Sequence, residues 1–306
     1  MPLVELAGNP QPLVVAGERL VIFRDAGGWH ALLDRCPHRG AALSLGTVLD
    51  DGTLQCRYHG WRFRGDGACT RVPLNALASR ALSAIRAPAV PVLELAGALW
   101  IHTGIPGAGA APPPPELPAS LAGPPHQFGT YSQHWQAHWT RAVENFIDFA
   151  HPSYLHRDTI GAWTHGYAEG GAVATVEVEA EPWGFRTLNH FGNRRQGFRV
   201  DWYRPNLSVL HFGGSGEAKL HVFSIPVTAT ATRVMTVRRL PPGVDAATWS
   251  ARAASVDNTI LNEDRVVVES QAGSVEDDSE ISVATDAPSV AFRRWHRAML
   301  RAGAAG

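Results

Sequence analysis

Two short stretches, Cys36-Pro37-His38-Arg39-Gly40 and Cys56-Arg57-Tyr58-His59-Gly60-Trp61, each place one cysteine and one histidine in a loop that contains glycine. A 2Fe–2S cluster with two different irons needs such a set, because two thiolates hold one iron and two imidazoles hold the other. A structural zinc site takes the same donors and is the alternative. The proline and the glycines favour the cluster, since the backbone must approach its sulfides closely. The predicted cluster ligands are Cys36, His38, Cys56 and His59.

These loops resemble the Rieske family, whose pattern is C-x-H followed by C-x2-H. The resemblance covers most of residues 10–105, where closely spaced turn residues also predict short strands and a small all-β domain. The third cysteine, Cys69, is expected to be an ordinary buried thiol. The motif alone does not separate an electron carrier from an oxygenase, so the remaining two hundred residues must decide.

A second cluster of candidate ligands begins with His151 and His156, which are five residues apart. An ideal helix would point them about 140° apart. Pro152 lies between them and has no N–H for the carbonyl of Asp148, so we expect a broken helix that lets them converge. Asp148 precedes His151 by three residues and can support it as a metal-bound imidazole.

A facial triad for Fe(II) needs one carboxylate beside two histidines. Asp264 is the best candidate, because its neighbours on a predicted long helix are apolar: Ile260, Leu261, Val267 and Val268. A buried acid on such a face is costly unless it is paired or bound to metal. Glu263 is a weaker candidate. Taken singly, these residues fit an ordinary core, and a zinc hydrolase would use the same triad with one water.

The segment from Asn145 to His156 resembles the Rieske non-heme iron oxygenase signature N-x2-D-x2-H-x4-H, with a distant Asp on a C-terminal helix. The resemblance implies that His151, His156 and Asp264 bind a mononuclear Fe(II). It implies that Asp148 bridges an iron-bound histidine to a Rieske histidine of a neighbouring subunit in a homotrimer. It places Asn145 close to the iron without ligating it.

Strands followed by segregated helices predict an α+β chain, and Pro-rich residues 106–126 predict a linker. The resemblance implies that an all-β Rieske 2Fe–2S domain over residues 1–105 precedes the linker and that a catalytic domain over 127–306 follows it. The catalytic domain should be a helix-grip (START-like) fold, in which a seven-stranded antiparallel sheet surrounds a long helix. Alternating apolar and polar residues between positions 172 and 239 independently predict antiparallel strands. Helices are predicted at about 136–156, 246–272 and 289–301.

The implied function is that of a terminal oxygenase that works with a separate reductase. Within the family the chain is most similar to the single-component α3 demethylase and monooxygenase branch, rather than to the α3β3 dioxygenases. Such a protein uses O2 to hydroxylate or O-/N-demethylate a small apolar or aromatic substrate. The alternatives are a ring-dihydroxylating dioxygenase, a Rieske electron carrier and a zinc hydrolase. The chain has no G-x-G-x-x-G fingerprint, so a separate NAD(P)H-dependent flavin reductase or ferredoxin must supply electrons. Candidate pocket-wall residues are Phe191, Phe198, Trp202, His211, His221 and Phe223.

The charge composition bears on the class of partner. With 27 basic and 28 acidic residues the formal net charge is −1, which predicts no partnership with nucleic acid or an anionic membrane. Three cysteines fit a reducing compartment. We find no signal peptide and no apolar run long enough to span a bilayer, so we expect a cytoplasmic protein.

Overall fold

A computed structural model describes residues 1–6, 8–102, 116–191, 194–195, 199–212, 218–271, 273–275 and 280–304. The described residues divide into two compact units, one with residues 1–102 and 123–125 and one with residues 116–122 and those from 126 onward. The first part of the predicted linker, up to residue 115, lies outside the described residues. None of the helices in the described part of the chain is long and apolar enough to cross a membrane.

The first unit is built from short antiparallel strands and one short helix. Its elements are β1 (Gln11–Val15), β2 (Glu18–Asp25), β3 (Gly28–Leu33), β4 (Thr47–Val48), β5 (Leu54–Gln55), β6 (Arg62–Phe63), β7 (Cys69–Arg71), α1 (Ser79–Ala84), β8 (Ala89–Val90), β9 (Val92–Leu95) and β10 (Ala98–Ile101). The strands form sheets of order β1-β2-β3-β8, β4-β5-β6-β7 and β9-β10. The predicted small all-β domain is confirmed.

Both cysteine–histidine loops leave the same core. The first loop follows β3, and the second connects β5 to β6. Cys36 and Cys56 are buried in one cluster with Phe23, Leu32 and Phe63. The sheets therefore hold the starting points of both loops rigidly.

The second unit places one large antiparallel sheet against helices, which confirms the α+β class. Its elements are β11 (Phe128–Trp135), α2 (Trp139–Ile147), α3 (Pro152–Leu155), α4 (Ala162–Glu169), β12 (Ala174–Glu181), β13 (Gly184–Phe191), β14 (Arg194–Arg195), β15 (Arg199–Tyr203), β16 (Leu207–Phe212), β17 (Ala218–Thr228), β18 (Ala231–Arg239), α5 (Ala246–Ser270) and α6 (Ala287–Ala304). Seven strands follow the order β11-β18-β17-β16-β15-β13-β12, and β14 pairs with β13.

One face of this sheet, here called the helix face, carries α2, α5 and α6. Leu220 and Val222 of β17 point to this face, where they belong to one buried cluster with Leu261 and Val268 of α5. Strand side chains alternate between the two faces of a sheet. His221 and Phe223 must therefore point to the opposite face.

This alternation corrects the predicted pocket wall. His211, His221 and Phe223 lie on the face away from α5, because their strand neighbours Leu210, Leu220 and Val222 pack on the helix face. Trp202 lies on the helix face, but it packs against Phe292 of α6. Phe191 also lies on the helix face and contacts Phe149. Phe198 lies outside the described residues.

Candidate metal centres

The two cysteine–histidine loops are closed by the same hydrogen bonds. In the first loop the N–H of Cys36 donates to the carbonyl of Ala41 (2.8 Å), and in the second the N–H of Cys56 donates to that of Trp61 (2.8 Å). Gly40 and Gly60 each return an N–H to their loop's cysteine carbonyl. Both glycines adopt a positive φ, +73° and +71°, which costs other residues steric strain. The loops are thus structural copies of each other.

The donor atoms of these loops converge. The rings of His38 and His59 lie 4.5 Å apart between centroids, and Trp61 stacks on His38 at the same separation. Burial first, and then the neighbouring Cys56 thiol, raise the pKa of the Cys36 thiol to about 11, against the opposing effect of the N–H groups of His38 and Arg39. Nδ1 of His38 is buried and has no hydrogen-bond partner among the described residues. Two buried thiols beside such an imidazole fit a 2Fe–2S cluster with mixed ligands.

The second site begins where α2 ends. The helix stops at Ile147, because Asp148 is extended with ψ of 140°. Its carboxylate instead accepts the backbone N–H groups of Ala150 (3.0 Å) and His151 (2.9 Å). The predicted break is therefore present, but its position differs: Asp148 ends one helix, and Pro152 is the first residue of the next. Proline suits that position, where its missing N–H leaves no bond unmade.

The break brings three predicted ligands together. Oδ1 of Asp264 lies 3.0 Å from Nε2 of His156 and 3.5 Å from Nε2 of His151. One ligand atom from each of the three residues lies within 4.8 Å of the others. Asp264 is 2% exposed and His156 is 1% exposed. Two histidines and one carboxylate form the donor set of a non-heme Fe(II) site with open coordination positions.

The other ring nitrogen of each histidine faces a second carboxylate. Nδ1 of His151 lies 2.9 Å from Oδ2 of Asp148, and Nδ1 of His156 lies 2.6 Å from Oε2 of Glu263. Such acceptors fix the tautomer and orientation of a metal-bound imidazole. The sequence prediction treated Glu263 only as a weaker ligand candidate. Its role as the acceptor behind His156 was missed, although the need of a metal-bound imidazole for such an acceptor could have indicated it.

The pKa shifts follow this geometry. Burial alone would lower the pKa of His156, but the carboxylates of Asp264 and Glu263 outweigh it and hold that pKa above its ordinary value. Burial likewise works to raise the pKa of Asp148, yet the His151 ring and the two backbone N–H groups bring it below the usual value. The Asp148 carboxylate is therefore ionised at neutral pH.

Two further features of α2 bear on the site. Nδ2 of Asn145, one helical turn before Asp148, is buried and has no hydrogen-bond partner among the described residues. The residue before it, Glu144, binds Arg293 of α6 at 2.5 Å. Arg141, whose side chain is 2% exposed, binds Glu280 at 2.7 Å. This ionic network, which sequence reasoning missed, braces the helix that carries Asn145.

The two other predicted wall histidines belong to separate polar groups on the far face of the sheet. Nε2 of His211 lies 2.9 Å from Asp201, and Nε2 of His221 lies 2.7 Å from the hydroxyl of Ser120. Nδ1 of His221 donates to the carbonyl of Val237. These contacts tie residues 119–121 and the strands together, and none of them involves His151, His156 or Asp264.

Comparison with known proteins agrees with this layout. Residues 3–82 match the Rieske [2Fe-2S] domain, and residues 135–302, more than half of the chain, match the vanillate O-demethylase oxygenase C-terminal domain. The 4beta-methylsterol monooxygenase of Methylococcus capsulatus is 39% identical over 162 residues, which are 51% of this chain and 43% of that protein. The 5,5'-dehydrodivanillate O-demethylase oxygenase subunit of Sphingobium sp. is 42% identical over 162 residues, or 48% and 34% of the two chains. These matches therefore span less than half of the relatives' own lengths.

Solved structures share the whole fold. Dicamba monooxygenase bound to dicamba has a TM-score of 0.76 at 20% identity and covers 100% of this chain and 96% of its own. The NdmA QL mutant of Pseudomonas putida CBB5 with caffeine has a TM-score of 0.76 at 25% identity and covers 100% and 90%. The chain belongs to the Rieske oxygenase family, in which a Rieske [2Fe-2S] domain precedes an oxygenase domain of the vanillate O-demethylase type.

Proposed function

We propose that this protein is the terminal oxygenase of a Rieske system and hydroxylates, or demethylates at oxygen or nitrogen, a small apolar or aromatic substrate. The observation that carries the proposal is the presence in one chain of paired cysteine–histidine loops and of the triad His151, His156 and Asp264. A Rieske electron carrier would have no use for the triad. A zinc hydrolase would have no use for the loops.

In this proposal Cys36, His38, Cys56 and His59 hold the 2Fe–2S cluster, and the triad holds a mononuclear Fe(II). When bound, these groups supply one-electron transfer and the reductive activation of O2. The chain holds each ligand in place before metal arrives. Asp148 and Glu263 orient the two imidazoles, and the burial of Asp264 keeps bulk water from that side of the site.

We further propose that electrons arrive from a neighbouring subunit of a homotrimer through Asp148. About a quarter of the Asp148 side chain, 24%, is exposed, so a histidine from another chain can reach it while it still contacts His151. That histidine would be His38 or His59; His59 is exposed and His38 is half-buried. A separate NAD(P)H-dependent flavin reductase or ferredoxin would reduce the cluster, in a cytoplasmic setting.

A buried aromatic cluster next to Asp148 in the sequence supports an apolar or aromatic substrate. Phe149 follows Asp148 directly and is 5% exposed. The centroid of its ring lies 4.9 Å from that of Phe191, and the Phe191 ring stacks on Tyr167 at 5.7 Å. Apolar walls with few polar groups are typical of small-molecule sites. Hydroxylation of a carbon next to oxygen or nitrogen would release an aldehyde, which gives demethylation.

The alternative within the family is dihydroxylation. A relative from Comamonas testosteroni, the 3-chlorobenzoate-3,4-dioxygenase oxygenase subunit, is 34% identical over 156 residues. The experiment that tests the proposal supplies a surrogate reductase, NADH and isotopically labelled O2 with aryl methyl ethers, N-methyl heteroaromatics and alkylbenzenes. We expect substrate-dependent O2 uptake, with formaldehyde or a product carrying one labelled oxygen. A diol with two labelled oxygens would establish the dioxygenase, and turnover without O2 would reject both.

A further inference from the structure

Two consecutive residues of α5 contact opposite nitrogens of one imidazole. Oδ1 of Asp264 lies 3.0 Å from Nε2 of His156, and Oε2 of Glu263 lies 2.6 Å from Nδ1 of the same ring. Consecutive side chains on a helix leave about 100° apart, so they normally serve different surroundings. Here the His156 ring lies between them and is 1% exposed.

Glu263 is itself held in place. Its Oε2 also accepts the hydroxyl of Thr159 at 3.1 Å. Thr159 belongs to a tight turn after His156, in which the N–H groups of Thr159 (2.9 Å) and Gly161 (2.8 Å) donate to the His156 carbonyl. The turn leaves no room at Gly161, where a Cβ would lie 1.7 Å from the carbonyl oxygen of Pro152. Glu263 therefore contacts both the ring of His156 and the turn that follows it.

The two histidines are oriented by different means. The carboxylate behind His151 is Asp148, three residues earlier in the same segment. The carboxylate behind His156 comes from α5, 107 residues away in sequence. The Nδ1 side of His156 is thus held by a long-range contact, and that of His151 by a local one. The same helix supplies the third ligand, so one rigid element sets both Asp264 and His156.

We propose that Glu263 is a positioning residue: it holds the proton of His156 on Nδ1 and directs Nε2 into the metal-binding triad. The inference rests on the proposed mononuclear iron site. A neutral imidazole carries one N–H, and a carboxylate acceptor at Nδ1 leaves Nε2 free for metal. Loss of such an acceptor typically lowers metal affinity about 10- to 100-fold.

The test compares Fe(II) binding by the full-length protein and its variants after the mononuclear metal has been removed anaerobically. In Glu263→Ala we expect the Fe(II) dissociation constant to rise about 10- to 100-fold. Glu263→Gln keeps the length of the side chain and an acceptor oxygen, so it should lie between Glu263→Ala and the wild type. Thr159→Val removes a hydroxyl that lies 3.1 Å from Oε2 of Glu263 and 3.2 Å from the His156 carbonyl, while Glu263 keeps its contact with His156. It should change affinity less than Glu263→Gln. Cluster absorbance serves as the check that each variant is folded.

The matched control is Glu269→Gln, on the same helix, where the carboxylate accepts the N–H of Gln136 and pairs with no histidine in the described part of the chain. It should bind Fe(II) like the wild type. Wild-type affinity in both Glu263 variants, or an equal loss in Glu269→Gln, would overturn the positioning role while leaving the iron site standing. A wild type that binds no Fe(II) beyond its cluster would overturn the proposed function itself and this inference with it.

Discussion

Nε2 of His156 and Oδ1 of Asp264 lie 3.0 Å apart, although 108 residues separate them in the sequence. His156 follows the short helix α3, and Asp264 projects from the buried side of α5 beside Leu261 and Val268. Both side chains are nearly inaccessible to solvent. The second imidazole, that of His151, lies 3.5 Å from the same carboxylate oxygen. The three side chains therefore bring their donor atoms together at one place.

The first prediction concerns this carboxylate. Asp264→Ala removes one of three proposed ligands from an apolar helix face, so the protein should fold and keep its cluster colour. Mononuclear iron and turnover should fall by at least about 100-fold, because two histidines alone hold Fe(II) poorly. Metal analysis and O2 uptake measure both effects. Loss of iron in Glu263→Ala together with full iron in Asp264→Ala would show that the two acids have exchanged roles.

The second prediction distinguishes a proposed cluster ligand, Cys36, from the third cysteine, Cys69. Cys36→Ser should bleach the visible absorbance, because it removes a thiolate from the proposed cluster. Cys69→Ser is the matched control: Cys69 is equally buried, at 3%, and its thiol faces the carbonyl of Arg71 rather than the two loops. This variant should keep its colour. Equal bleaching in both variants would mean that the loss reflects damage to the core.

The third prediction concerns stability and pH. Burial, opposed by the hydrogen bond to the Val237 carbonyl and assisted by nearby Lys219, His211 and Arg239, lowers the pKa of His221 to about 4. Between its ordinary value of 6.5 and about 4, the unfolded chain binds a proton here that the native state does not. The free energy of unfolding must therefore fall as pH falls through this window.

A non-titrating variant, His221→Gln, should lack this dependence. The stability difference between the wild type and His221→Gln should shrink by about 1.4 kcal/mol between pH 7.5 and pH 5.5. Anaerobic urea unfolding at the two pH values measures it. A difference that stays constant between the two pH values would contradict a neutral, buried His221.

The fourth prediction tests the route of the electron. His59→Ala should keep the mononuclear iron but lack a working cluster, and Asp264→Ala should show the reverse. In a head-to-tail trimer each cluster serves the next subunit's iron, so co-expression should restore part of the activity. If each chain reduced its own iron, no mixed trimer could turn over. Mixed trimers verified by mass but without turnover would reject transfer between subunits.

Most of the candidate site could be predicted from local sequence motifs. The two cysteine–histidine loops could be located because the ligands and the glycine of each loop are adjacent in sequence. Asp264 could be chosen over Glu263 because helical periodicity placed it among apolar neighbours, and its burial in the structure fits that phasing. Most strands of the large sheet followed from the alternation of apolar and polar residues. The 25-residue helix α5 was predicted at about 246–272, after the break at residues 241–243.

Features that depend on tertiary contacts were missed. Strand β11 was not predicted, because it carries Tyr131 and Gln133 toward the helices, where side-chain hydrogen bonds, among them those to Asn258, make their burial tolerable. The wall residues His211 and His221 were assigned to the pocket on aromatic content alone. The alternation of side chains along their strands places both on the opposite face of the sheet. Which face a strand residue occupies can be assigned only once it is known which of its neighbours pack against α5.

The metal content of the purified wild-type protein tests most directly whether one chain holds both a Rieske cluster and a mononuclear iron. We expect a red-brown protein that carries about three iron atoms per chain, two with acid-labile sulfide in the Rieske cluster and one without. Anaerobic preparation followed by iron, zinc and sulfide analysis measures all three quantities in one sample. A colourless protein with one zinc per chain and no acid-labile sulfide would contradict it.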